Sequence, residues 1–279
     1  MTGPQVVFTS REVAEPRRLA LSALAWRRLA EFAPRPLPGE LQPPPLLAAD
    51  PESMPGSSSE SARIAAALEG ATPGDVRNPD EELRASGVLV GPEAEPEVHP
   101  SVQADLAVLA APQVLLRVDA QVPAGRRLAH VALAGELVVC LVRTDDAGGV
   151  ELSLAPAVRL GSEIARLVPV LESATEASGE QVVPLEALDE PGSLPYAVVG
   201  RLLVDVLAAV PGPGGAEGLR GRVVWLATDA GWVGLRPRPD GTPRQPVALV
   251  PAKAADLPGW LAPLMTTALD LGAGEGGPA

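Results

Sequence analysis

One cysteine, one lysine, two histidines and 3% aromatic residues leave this 279-residue chain few of the side chains that carry covalent or metal chemistry. Cys140 has no second cysteine to pair with, so no intrachain disulfide can form, and its place in the run ELVVCLVR reads as a buried strand position. A reducing compartment suits that usage. His99 and His130 stand apart, with no HxH, HExxH or CxxC spacing to bring together the three or four ligands zinc needs. There is no Gly-x-Ser-x-Gly elbow, and no Gly-x-x-x-x-Gly-Lys, because Lys253 stands alone after Pro251 and Ala252. No apolar run reaches about 18 residues. The opening MTGPQVVFTSREVAEPRR lacks a basic region, an apolar stretch and a small-residue cleavage site. These absences lead to the expectation of a soluble, cytosolic protein that is not an enzyme and holds no cofactor or metal.

What is present is bulk and negative charge. A hydrophobic content of 46% suffices for a substantial core, in one large domain or two of ordinary size. The net charge of −13 repels phosphate backbones and anionic lipid, so neither nucleic acid nor membrane is an expected partner. The pairs Arg17/Arg18, Arg27/Arg28 and Arg126/Arg127 are interleaved with apolar residues and read as solvated faces. Between Glu69 and Glu97 eight carboxylates stand against Arg77 and Arg84, an excess that keeps a segment solvated or steers a basic partner.

Along the chain, VVFT reads as a short strand and Thr9 with Glu12 as a capping box. Pro16 then opens a helix over PRRLALSALAWRRLAEFA, with Leu21, Ala25, Leu29 and Phe32 as its apolar stripe. Residues 34–61, rich in Pro, Ser and Gly, read as a flexible linker. SARIAAALEG and NPDEELRASGVLVG follow as helices, the second with acidic residues in its first turn and a stop at Gly87. His99 falls where an N-cap belongs, Pro100 at the first helical position, Val102, Leu106 and Leu109 on one stripe, and Pro112 at the stop. That grammar explains His99 without a catalytic role. His130 contributes one side chain to a sheet face. VLLRVD reads as a strand, and 128–156 as a three-strand meander, LAHVALAG, ELVVCLVR and VELSLAP. RLGSEIARLVPVL is then a helix facing inward through Leu160, Ile164, Leu167 and Val168.

After QVVPLEAL, the stretch LPYAVVGRLLVDVLAAV (194–210) reads as a helix, followed by strands GLRGRVVWLATD, GWVGLRPR and QPVALVP and the helix AADLPGWLAPLMTTAL. LSLAPAV (152–158) lies over VALVPAK (247–253) at an offset of 95, and Leu160, Ile164 and Leu167 over Leu257, Leu261 and Leu264 at 97. This is the mark of a duplicated strand-strand-strand-helix unit, each copy preceded by a helix at 100–111 or 194–210. The expected fold is one α+β domain over 1–279, with a central, largely antiparallel sheet built from two pseudo-twofold-related units. Its subregions are an N-terminal helical region (1–112), a first sheet unit (113–172), a second (181–271) and a disordered tail (272–279). GPGGAEG at 212–218 follows a helix and precedes a strand in this reading, the reverse of a dinucleotide fingerprint, and Asp145/Asp146 fall in a turn. Trp225, Trp232 and Trp260 gather in the last quarter; tryptophan is enriched at binding hot spots, yet the core reading is favoured where a sheet meets a helix.

The order of these elements carries a resemblance. A helix with Trp26 before a proline-rich segment, LRASGVLVG, an acidic spacer, VHPSVQADLAVLAAPQVLLRV, LSLAPAVRLGSEIARLV, and a closing GWVGLRP with VALVPAKAADLPGWLAPLM together resemble the EspG family of actinobacterial ESX (type VII) secretion. The resemblance spans nearly the whole chain and includes no catalytic signature. It implies a cytosolic chaperone that caps the apolar tip of a PPE protein in a PE/PPE pair and leaves it for the secretion ATPase machinery. A WXG100-like helical hairpin is the other client it allows. The family's contact surface involves sheet and C-terminal helix without a short motif, so the candidate contact residues come from this sequence alone: Trp225, Trp232 and Arg236. Two other classes stay open, a small-molecule-binding or enzymatic α+β domain, and an adaptor unconnected to secretion.

Overall fold

The computed structural model describes residues 17–43, 78–143, 149–171, 179–190, 192–209, 217–238 and 246–274. The expected VVFT strand, the Thr9/Glu12 box, the SARIAAALEG helix, most of the 34–61 linker and residues 275–279 of the expected 272–279 tail lie outside these, whereas residues 272–274 of that tail belong to the last helix.

Ten strands form one antiparallel sheet. They are β1 (Arg17–Leu21), β4 (Val114–Val122), β5 (Gly125–Ala134), β6 (Leu137–Arg143), β7 (Val150–Pro156), β8 (Gln181–Pro184), β9 (Val198–Ala209), β10 (Glu217–Thr228), β11 (Gly231–Pro237) and β12 (Pro246–Ala252). The order across the sheet is β1-β7-β6-β5-β4-β9-β10-β11-β12-β8. β2 (Leu89–Val90) and β3 (Glu97–Val98) make a separate two-stranded ladder. Helices α1 (Ala23–Ala30), α2 (Pro79–Ala85) and α3 (Pro100–Ala110) belong to one face of the sheet, and α4 (Leu160–Leu167) and α5 (Leu257–Gly274) to the other.

Two-residue periodicity divides the core between these faces. Val114, Leu116, Val118 and Ala120 of β4, with Leu202, Val204, Val206 and Ala208 of β9, point toward α4 and α5. Leu115 of β4, Ala132 of β5 and Val139 and Leu141 of β6 point the other way, onto Trp26, Leu29, Leu83, Leu106 and Leu109 of α1–α3. The meander over 128–156 and the later strands match expectation. His99 caps α3 as anticipated, its Nδ1 accepting from the Ser101 amide at 3.3 Å. Asn78 does the same for α2 at 3.1 Å, and Gly87 past its end adopts φ +70°.

Three expectations are corrected. Residues 17–21 form edge strand β1, paired from Arg17↔Leu154 to Leu21↔Val150, and the helix begins only at Ala23. Leu19 and Leu21 alternate inward, and Ser22 turns the chain: its Oγ accepts from the Ala25 amide at 3.2 Å while Glu82 of α2 accepts from its amide (2.7 Å) and hydroxyl (2.6 Å). The region 1–112 therefore contributes strands β1, β2 and β3 as well as helices. Residues 198–209 form central strand β9, not a helix. β9 has both edges paired and one face, Leu202, Val204, Val206 and Ala208, buried; its largely apolar run satisfies helical and strand spacing alike, and pairing with β4 and β10 decides. Each half of the sheet about the β4–β9 contact thus runs through four successive antiparallel strands, β4-β5-β6-β7 and β9-β10-β11-β12. Finally, the start of the linker is anchored: Leu37 and Leu41 are buried in the helical layer and the Gln42 carbonyl accepts from Arg143 at 3.0 Å.

The two halves meet at β4 and β9, registered from Val114↔Ala208 to Gln121↔Arg201. At Gly200 a Cβ would collide with the Gln121 carbonyl oxygen, so the seam requires glycine there.

Candidate partner-binding surface

α5 seats on β10 and β11 through two glycines. A Cβ on Gly234 would lie 2.5 Å from the Trp260 ring and 2.9 Å from Trp225 Nε1, and one on Gly221 would lie 2.6 Å from Leu264. Where β11 lacks a side chain, the Trp260 indole fills the space, edge-on to Trp225 at 5.8 Å between ring centroids. Trp232 packs on Trp225 at 6.4 Å and donates from Nε1 to the Pro169 carbonyl at 3.0 Å, holding the exit of α4.

This arrangement places the three residues proposed from sequence. Trp225 is wholly buried and Trp232 is 7% exposed, so both fill the sheet-helix junction and neither presents an indole face to solvent. Arg236 is exposed, with its guanidinium 4.8 Å from the Trp260 ring centroid, a cation-π contact at the edge of α5.

Sequence reasoning missed the outward side of α5. Gly259, Ala262, Pro263, Thr266, Thr267 and Leu269 are exposed, and from Leu257 to Leu269 there is no charged side chain. An exposed helix face is ordinarily rich in Lys, Glu and Arg. Pro263, inside the helix, has no amide to donate to the Gly259 carbonyl, so that turn lacks one helical hydrogen bond. The uncharged run was readable in the sequence; which of its residues face out was not.

Polar groups elsewhere are mostly committed. Beneath α4, buried Glu163 accepts from Ser153 (3.1 Å) and Arg166 (3.1 Å), and Arg166 also pairs with Glu151 at 2.8 Å. Burial pushes the neighbouring Cys140 thiol up to about 12, which leaves it un-ionised and inert at neutral pH. Asp105 on α3 is 2% exposed, and burial raises its carboxyl to about 6, partly offset by Arg17. His130 is buried mid-strand in β5. Among the described residues no group of three or more His, Cys, Asp or Glu could hold a metal ion, and no helix is long and apolar enough to cross a membrane. A cleft of about 600 Å³ opens where the β4–β5 turn meets the start of β9, and a groove of about 360 Å³ lies between Val170 and Trp232.

No protein-family model matches the chain, and no curated protein matches its sequence. Among solved structures it is similar to the Mycobacterium tuberculosis type VII secretion system chaperone EspG5 in complex with a PE25-PPE41 dimer. The match has a TM-score of 0.53 and 14% identity and covers 91% of this chain and 96% of the other. At that identity the likeness is one of fold: the chain shares its α+β architecture, end to end, with a secretion chaperone.

Proposed function

We propose that the protein is a non-enzymatic chaperone of a type VII secretion system, acting in the cytoplasm to cap the apolar tip of a PPE-like client, within a PE/PPE pair or a WXG100-like hairpin. The observation that carries this reading is the end-to-end likeness to EspG5. The uncharged outer face of α5, with Arg236 at its edge, supplies a surface of the right chemistry. Capping needs an apolar patch that is tolerated in water until the client covers it, and a helix face of Ala, Pro, Thr and Leu meets that need with little exposed bulk. No bond is made or broken.

The same reading includes an internal duplication about a pseudo-twofold axis through the β4–β9 seam. In its favour, the strand order reads alike outward from the seam, β4-β5-β6-β7 against β9-β10-β11-β12. Positions related by the offset of 95 also share sheet faces: Leu152 and Val247 point away from α4 and α5, as do Leu154 and Leu249.

The test is co-expression with PE/PPE pairs and WXG100-like proteins encoded in the same genome, followed by size-exclusion chromatography. Co-elution is expected with one class, and Ala262→Glu is expected to abolish it while changing stability by no more than about 0.5 kcal/mol. A folded protein that co-elutes with none of these clients would refute the chaperone reading.

A further inference from the structure

We propose that α4 is a hinged cover, which lifts off the sheet as a unit while the rest of the fold stays intact and so uncovers Cys140 beneath it. α4 spans eight residues, Leu160–Leu167, fewer than the roughly 12–15 a helix needs to persist alone, so it is ordered by what it touches. Its entry is weak. The N-cap, Arg159, makes no side-chain hydrogen bond to the first-turn amides, and the 3-10 turn Ala157–Arg159 before it holds no buried residue. Its exit is latched at Pro169, whose carbonyl accepts from Trp232 Nε1 at 3.0 Å, and Val170 beyond the latch is exposed.

What holds α4 down is divided between a few aliphatic side chains and a set of charges. Ile164, Leu167 and the C-cap Val168 are buried in one cluster with Val131 of β5 and Val138, Cys140 and Val142 of β6. Glu163 points the same way with its side chain only 4% exposed, and a carboxylate removed from water weakens the docked state where an apolar group would strengthen it. Arg166 balances that charge at 3.1 Å from within the same helix, so this pair survives when α4 moves. The links that cross to the sheet are polar: Ser153 Oγ donates to Glu163 at 3.1 Å, Arg166 pairs with Glu151 at 2.8 Å, Arg127 donates to the Arg166 carbonyl at 3.4 Å, and Arg18 lies 3.9 Å from Glu163. Glu151 and Arg18 are 36% and 50% exposed, so salt screens both contacts and water can replace them. Against α5 the contact is loose, since even a Cβ on Gly161 would lie 3.6 Å from the Pro258 ring. Lifting α4 gives up these contacts and returns Glu163 to water, a smaller loss than opening the ten-stranded sheet with both its cores.

Cys140 lies directly under this cover. It pairs with Ser153 across the β6–β7 ladder, Arg166 Nη2 sits 3.9 Å from its Sγ, and it is wholly buried. Burial holds the thiol at about 12 while α4 is down, so the closed state offers no thiolate to a reagent. With α4 raised, the thiol regains water and ordinary reactivity. Because the chain has a single cysteine, thiol chemistry reports on this place alone. Opening also uncovers Val131, Val138 and Val142, an apolar strip of sheet on the side of the molecule that carries α5. α5 itself is built to stay: it spans 18 residues and is wedged against the sheet at Gly221 and Gly234.

The test is the reaction of Cys140 with dithiobisnitrobenzoate in the full, folded chain at about pH 8 and low urea, beside global unfolding followed by tryptophan fluorescence. Without urea, Cys140 is expected to react about 100-fold faster than the global unfolding equilibrium allows, with a urea dependence below about a third of the global slope. Arg166→Gln, which leaves Glu163 buried without its cation, is expected to speed the reaction about 10-fold. Ser153→Ala, which removes one link to the sheet and no charge, serves if that variant does not fold, with a several-fold gain expected. Arg222→Gln, which breaks the ion pair with Asp205 on the opposite sheet face, is expected to leave the rate unchanged even where it lowers the global midpoint. A rate that follows global unfolding in its urea dependence, a rate equal to that of a thiol in an unfolded peptide, or an unchanged rate in the folded Arg166 and Ser153 variants would each overturn the proposal. No client enters this readout, so it is decided separately from the chaperone reading.

Discussion

The two halves of the sheet share a strand plan but are covered differently. β4–β7 have helices on both faces, α4 on one and α1–α3 on the other, whereas among the described residues β9–β12 have α5 on one face and no helix on the other. Between edge strand β8 and central β9 the described residues include the 3-10 turn Leu185–Leu188. The seating also differs. α5 is wedged against the sheet by tryptophan into glycine, while α4 rests on the Glu163–Arg166–Ser153 network and on aliphatic contacts. On the face opposite α5, Val233, Val247 and Leu249 of β11 and β12 are buried all the same, and it is on β9 and β10 that Leu203, Val224 and Leu226 stay half-exposed.

The comparison can be strained at graded points. The largest effect is expected from Gly234→Ala, which drives a methyl into Trp260 and Trp225. It should cost about 2–3 kcal/mol by overpacking, seen in urea denaturation as a lower midpoint at unchanged slope, and should weaken client capture by displacing α5. Next comes Asp105→Asn in the doubly covered half. Because the folded-state carboxyl titrates near 6 against an ordinary value of 3.8, folding is favoured below 3.8, and that advantage is lost as pH rises through 6. The amide variant should therefore be more stable than the parent by about 2 kcal/mol at pH 7.5 and nearly equal to it at pH 3.5. A variant destabilised at pH 7.5 would mean that the carboxylate is held by a stronger partner than Arg17. The smallest effect belongs to His99→Asn, a better N-cap for α3: a gain of at most about 0.5 kcal/mol, with client binding unaltered because the cap lies on the far side of the sheet from α5. Loss of binding by the folded variant would return His99 to the list of functional residues.

Legibility in the sequence followed the reach of each interaction. Helix α3 was readable from His99, Pro100 and Pro112, because capping and φ restriction act within a few residues. The meander was readable because alternating runs are separated by the turn at Ala134-Gly135 and by the glycine- and aspartate-rich sequence DDAGG, which lies almost wholly outside the described residues. β1 and β9 were misread as helices for one shared reason: short apolar stretches fit both periods, and pairing partners more than 80 residues away, in Leu154 for β1 and Leu115 for β9, made the choice. Trp225 and Trp232 were offered as contact residues because tryptophan is frequent at interfaces, and burial behind α5 depends on where Gly234 and Gly221 fall in the register.

By itself, then, the amino-acid sequence determined the α+β class, the antiparallel hairpins, the helix caps, the repeated LSLAPAV/VALVPAK pattern and the poverty in metal-binding and nucleophilic side chains, all properties of composition or of contacts close along the chain. Only the tertiary structure decided that two four-strand halves of the sheet join at Gly200, that the tryptophans turn inward, and that α5 turns an uncharged face outward. Those outcomes depend on which distant strands pair and which faces are left uncovered, and no local periodicity encodes that.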